Sequence, residues 1–119
     1  MLNLIFVCGL KMMNDIKTVI VSGPEEPVNF SVYRITIGEY VYIGHTRDIY
    51  DRANRHAKDA RRIIGRLFCE SGCDMYVEHI DEATSKEQAR EVEQRHIELA
   101  KEQHGHKLLN VHHARTKKK

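Results

Sequence analysis

The spacing of apolar positions divides the chain into short strands first and helices afterwards. Lys17-Thr-Val-Ile-Val21 reads as a short strand, closed by Ser22-Gly23-Pro24 and a Glu-Glu-Pro loop. Val32–Ile37 and Tyr40–Ile43 are rich in β-branched and aromatic residues, with only Gly38-Glu39 between them. A two-residue loop with glycine first meets the demand of a type II′ turn, so these runs predict a tight antiparallel hairpin ending at Gly44. From Asp48 to Phe68 the period becomes helical: Ile49, Ala53, Ala57, Ala60, Ile63, Ile64 and Leu67 share one stripe. This run is one long helix, or two short ones broken near Lys58-Asp59, and Gly72 ends it. Met75–Ile80 predicts a further strand. Thr84-Ser-Lys-Glu87 has the form of a capping box, opening a helix that reaches about His104 with Gly105 as its C-terminal cap. Lys107–Val111 is a short extended piece. The order ββα(α)βα is that of an α+β fold.

Length and composition narrow the class. At 119 residues and 41% hydrophobic, with mixed charge, the chain is one compact domain and not a disordered tail. No run approaches the ~20 apolar residues of a membrane span. The first ten residues are apolar but carry no basic leader, and Met12 and Met13 offer a later start. Residues 1–29 are therefore expected to be a peripheral N-terminal extension, 30–112 the domain and 113–119 a basic tail. Three cysteines, Cys8, Cys69 and Cys73, argue against a disulfide scaffold and for a reducing, cytoplasmic location. Cys69-x-x-x-Cys73 with His79, or the histidines at 104, 106, 112 and 113, lack the tight spacing of a zinc site. Net charge is only +2, but residues 31–66 hold eight Lys/Arg against four Asp/Glu, and residues 67–103 four against ten. That polarity is either a positive face for polyanions or a solvated surface whose charges cancel.

Two helices carry anomalies. In the last one, Ala89, Val92, His96, Ile97 and Ala100 form the inward stripe, and Glu93 lies inside it. A carboxylate among apolar neighbours is costly unless it is paired or holds a cation. Glu93 is thus either a buried salt-bridge partner or a metal ligand lining a cleft. In the middle helix, Arg52 and His56 project together, four residues apart. A guanidinium holds phosphate oxygens in a bidentate manner, and an imidazole moves protons near neutral pH. They are equally read as an ordinary surface pair, or Arg52 as a counter-charge to Glu93.

The hairpin joins these features. Ser31-Val32-Tyr33 and Tyr42-Ile43-Gly44 resemble the paired strand motifs of the GIY-YIG nuclease family, and the likeness runs on through Gly44-His-Thr-Arg-Asp-Ile-Tyr-Asp-Arg52-Ala-Asn-Arg-His56. Arg52 stands at the spacing of the family's catalytic arginine, with His56 one turn later. Glu93, in its Glu-x-x-x-Ile setting, matches the metal-binding glutamate, and Asn110 follows a short extended piece. The resemblance covers roughly residues 31–111. The first motif has Ser31 in place of its glycine, and His45 stands where relatives often carry Ser or Lys.

The resemblance implies a stand-alone minimal GIY-YIG domain, an antiparallel three-stranded sheet flanked by helices. It also implies hydrolysis of DNA phosphodiesters by water with one divalent cation, Mg²⁺, or Mn²⁺ as a substitute. Glu93 would hold the cation, Arg52 would neutralise a non-bridging oxygen, and Tyr33 or Tyr42 would position and deprotonate water with His56 relaying the proton. His45, Arg55, Lys58, Arg61, Arg62 and Asn110 are candidate nucleic-acid contacts, joined by Arg66, Arg115 and Lys117–Lys119. The DNA would be double-stranded or branched, and paired cleavage by one small site calls for a dimer or two visits. Phage or mobile-element, repair and restriction roles all suit so compact an enzyme. Two other classes remain: a catalytically silent nucleic-acid-binding module of the same fold, and a protein-interaction or inhibitor domain using the acidic helix.

Overall fold

The computed structural model describes residues 2–8 and 17–110, the first segment as backbone alone. Met12, Met13, Val111, His112, His113, Arg115 and Lys117–Lys119 lie outside the described residues. Five strands form one sheet: β1 (Leu2–Cys8), β2 (Lys17–Ser22), β3 (Phe30–Ile37), β4 (Tyr40–Thr46) and β5 (Met75–Ala83), in spatial order β1-β2-β5-β3-β4. Helices α1 (Ile49–Lys58), α2 (Ile63–Ser71) and α3 (Lys86–His104) complete an α+β fold. Among the described residues no helix is long and apolar enough to cross a membrane.

The antiparallel trio expected from the chain is present as β5-β3-β4. It is not the whole sheet. β2 pairs in parallel with β5, and β1 pairs antiparallel with β2, so the sheet is mixed. Residues 17–22 are consequently not peripheral. Val19 and Val21 are fully buried and pack in the cluster that includes Met75 and Val77. The physical reason is that β5, without β2, would leave a row of unpaired backbone groups along its outer side.

The hairpin forms as its turn chemistry demands, with Gly38 at φ 61° and Ile37 opposite Tyr40. The helical run of residues 48–68 is two helices, broken over 59–62. The break takes Ala60 and Ile63 off the shared stripe, and both are exposed. Asp48 caps α1, its carboxylate accepting from the amides of Tyr50 and Asp51 at 3.1 Å each. The cap of α3 lies one residue later than the sequence suggests: Ser85, not Thr84, accepts from the third residue on, Gln88. The Gln88 side chain reaches back to the Thr84 amide at 2.7 Å. Glutamine at that step leaves Glu87 on the exposed first turn.

Alternation along the strands sends side chains to two layers. Tyr33, Ile35 and Ile37 of β3 pack with Ile49, Ala53 and Ala57 of α1 and with Ile64 and Phe68 of α2. Val32, Val41 and Ile43 pack with Val92 and Ala100 of α3 and with Leu108. The sheet thus separates α1 and α2 from α3, and the sides meet near Gly44.

Candidate active site

Tyr33 stands where the β3–β5 register slips by one residue, between Val32 and Tyr33. Such a bulge re-aims the side chains beside it. Tyr33 is turned toward α1 and is only 1% exposed. Its hydroxyl lies 3.0 Å from His56 Nε2. Across the hairpin, Tyr42 sets its ring edge against the same imidazole, with centroids 5.6 Å apart. Gly44 makes this packing possible. A Cβ there would stand 2.5 Å from the Tyr33 oxygen, closer than such atoms approach, and in a tight 3.1 Å contact with the Tyr42 ring. The glycine of the second motif is therefore required by the tyrosine of the first.

Arg52 and His56 share one edge of α1, a turn apart, as the helix period dictates. Burial pushes the Tyr33 phenol well above the usual tyrosine range, and neighbouring Tyr42 and Glu93 add to the rise. Arg52, beside it and hydrogen-bonded to it, pulls the other way. Tyr42 is also raised, by burial and by Glu93, against the opposing charges of Arg52 and Arg62. Both phenols are held protonated at neutral pH.

Glu93 comes from α3, on the opposite side of the sheet. Its Oε1 takes a short hydrogen bond with His45 Nδ1, and each of the two side chains is 20% exposed. The inward position of Glu93 is thus resolved by His45, not by Arg52. Tyr33, Tyr42, Arg52 and Glu93 all line one cleft of about 520 Å³. Asp48 and Asp51 also border it, but Asp48 caps α1 and Asp51 pairs with Arg55 at 3.1 Å.

The other sequence-predicted positions divide. Arg55 borders the cleft, and Arg62 borders a second pocket beside it. Lys58 and Arg61 line a separate open depression, where Arg61 pairs with Asp59 at 3.1 Å. Asn110 is not a surface contact: it is 7% exposed and its amide is used up by the Ile43 backbone, accepting from N–H and donating to C=O at 2.8 Å each. With the Leu109 amide on the Val41 carbonyl at 2.7 Å, this segment closes the outer edge of β4. Cys69 and Cys73 are free thiols packed against the core, and His79 bonds Ser31 Oγ at 3.0 Å.

Sequence reasoning missed two parts of the cleft. Arg47 lies over the Phe30 ring, 5.1 Å from its centroid, and both border the site. Lys86, in the first turn of α3, borders it as well. Lys86 carries no local signal, since only the fold brings it across from Arg52.

The family model for the GIY-YIG catalytic domain matches residues 29–107, more than half of the 119-residue chain. The chain belongs to the GIY-YIG family. GIY-YIG domains are typically nuclease domains acting on nucleic acid, and the matched span contains every side chain gathered at the cleft. No curated protein matches the chain, and no solved structure matches it.

GIY-YIG nucleases generally use a divalent metal. Among the described residues no group of three His, Cys, Asp or Glu side chains is placed to hold one. The donor set at the cleft is one carboxylate outside any helix cap or arginine pair, Glu93, with one oxygen on His45. That fits a small hard cation which keeps most of its waters and takes one or two carboxylates plus phosphate oxygens. It does not fit a cation that needs a full cage of protein ligands.

Proposed function

We propose that this chain is a metal-dependent DNA endonuclease that hydrolyses phosphodiester bonds at the cleft between α1 and α3. The observation that carries this reading is the convergence of Tyr33, Tyr42, Arg52 and Glu93, from four separate elements, on one cleft. A binding module has no need of an inward carboxylate, which repels phosphate unless a cation lies between them.

In this reading Glu93 would hold Mg²⁺, or Mn²⁺ in its place. When bound, the ion would supply positive charge for the phosphate and the leaving 3′ oxygen. Arg52 stabilises a non-bridging oxygen of the scissile phosphate from the opposite wall. Tyr33 positions the attacking water. Its raised pKa makes the free phenolate an unfavourable intermediate, which favours a relay: water gives a proton to the Tyr33 oxygen as the Tyr33 proton passes to His56 Nε2. His56 must then begin neutral, with its proton on Nδ1. Tyr42 braces His56 through its ring edge. The exposed cations Arg47, Arg55 and Lys86 at the rim hold flanking phosphates of double-stranded or branched DNA.

The test is plasmid nicking by purified protein in Mg²⁺, with EDTA and Glu93→Ala as controls. The expected result is nicked or linear product that both controls abolish. Folded protein that leaves supercoiled, branched and single-stranded DNA intact in Mg²⁺ and in Mn²⁺ overturns the reading. DNA affinity that is still steep in salt then identifies a silent nucleic-acid-binding module.

A further inference from the structure

Beside the cleft lies a second pocket of about 350 Å³, bordered by His56 on the side of the proton relay and by Arg62, to which the mechanism above gives no part. Tyr42, Arg52 and Arg55 border both cavities, so the two lie side by side with the Arg52 helix edge as their common wall. The far side is made by Arg62, with Asp59 and Ile64. Three guanidiniums therefore face one small space.

The local charge balance leaves that space positive. Asp59 is already engaged by the Arg61 guanidinium at 3.1 Å, which holds its carboxyl below the usual range. Arg55 shares its charge with Asp51 at 3.1 Å. Arg62 makes no ion pair among the described residues, yet its charge reaches Tyr42, whose titration it opposes. The backbone holds Arg62 there firmly. It begins α2, and α2 closes so tightly on the end of α1 that a Cβ on Gly65 would stand 2.2 Å from the Asp59 carbonyl oxygen. Arginine in a fixed position, aimed into a pocket with two others, suits the geometry of phosphate oxygens.

We propose that this pocket is a second phosphate subsite. It takes the phosphodiester next to the scissile one on the same strand, with Arg62 as its main contact and Arg52 touching both phosphates. The proposal rests on the nucleic-acid reading of the cleft but not on cleavage. A strand seated in both cavities has its scissile phosphate fixed along the chain direction, which one contact at Arg52 alone does not achieve.

The experiment compares binding of two short probes to the whole protein in Ca²⁺, with the probes recovered intact afterwards: the dinucleotide TpT, with one phosphodiester, and the trinucleotide TpTpT, with two. Wild type is expected to bind TpTpT about 10-fold more tightly than TpT, in line with one charge-assisted contact. Arg62→Gln should erase most of that gain, read as the ratio of the two affinities within each protein. Arg90→Gln, an exposed arginine on α3 away from both cavities, should preserve it. Equal affinity of wild type for the two probes, or a gain that survives Arg62→Gln, overturns the subsite. A gain lost in Arg62→Gln by a protein that never nicks plasmid keeps the subsite and overturns only the nuclease reading. Nicking by wild type together with an unaltered gain in Arg62→Gln does the reverse.

Discussion

The two walls of the cleft are held in different ways. On one side Tyr33, Tyr42, Arg52 and His56 brace one another through a phenol–imidazole hydrogen bond of 3.0 Å, stacked ring edges and a shared helix face. On the other, Glu93 has one partner in the site, His45, a strand residue 48 positions earlier in the chain. The first wall is part of the packed core, and Tyr33 belongs to the same cluster as Phe68 and Val77. The second is a single carboxylate at the rim of a separate helix. A cavity made this way divides labour: one wall carries structure and chemistry together, and the other carries chemistry almost alone. Substitutions on the two sides should therefore separate activity from stability.

The largest effects break that comparison most directly. Glu93→Ala should reduce nicking by at least about 10³-fold, as expected for losing the one group that holds the metal. Its melting temperature should stay within a few degrees of wild type, because the carboxylate is partly exposed and its loss frees His45 to water. A fall of 10 °C or more would place Glu93 in the structural wall instead. Arg52→Ala should cost about 10²- to 10³-fold in kcat, with a smaller change in KM, as for removal of a preorganised transition-state contact. Gly44→Ala should act on both properties. Forcing a methyl group against the Tyr33 oxygen costs about 1–3 kcal/mol in a packed interior. Thermal melting measures that loss, and the same substitution in a Tyr33→Ala background should cost clearly less, leaving only the Tyr42 contact. An equal cost in both backgrounds would mean that Gly44 is constrained by something other than Tyr33.

The same contrast explains what could be read in the sequence. The hairpin, the period change at Asp48 and the pair Arg52/His56 lie within 25 consecutive residues, 32–56, where local rules operate. Glu93 was legible for the opposite reason: a carboxylate on an apolar stripe violates the local rule, and such violations tend to mark functional sites. Its partner was not legible, because the contact of His45 with Glu93 depends on how α3 crosses β4. β2 was underestimated since its partner, β5, is 56 positions away at its start, and short parallel pairing leaves no periodic trace. The motif position of Asn110 points either to ordering the site or to a DNA contact. The fold instead consumes its amide on Ile43, a use invisible until the C-terminal segment is seen against the β4 edge.

Asn110 also sharpens the comparison, because it supports the strand that leads into the first wall. Asn110→Ala leaves the Ile43 N–H and C=O unpaired in a buried place, which should cost about 2 kcal/mol. Since Ile43 precedes Gly44, some loss of activity should accompany the loss of stability. A stable but inactive Asn110→Ala protein would return that side chain to the chemistry.

The smallest effect tests whether the first wall is a closed, dry network. Tyr33 and Tyr42 both have pKa values raised by folding, so the native state holds these protons more tightly than the unfolded chain does. The contribution is fully present below the unfolded value, about 10, and is lost as pH rises beyond it, because the unfolded chain then gives up protons that the native state keeps. At about pH 10.5 the loss is bounded at about 0.8 kcal/mol per tyrosine, since only titration of the unfolded chain enters so far below a strongly raised native value. Urea melts at about pH 8 and pH 10.5 measure it as a difference between proteins, which cancels the lysines common to all of them. Tyr33→Phe should lose less stability over that interval than wild type. Identical losses in the Tyr33→Phe and wild-type proteins would mean that water reaches the phenol. The proton route from Tyr33 to His56 would then be open to solvent, and the two walls would differ less than their contacts indicate.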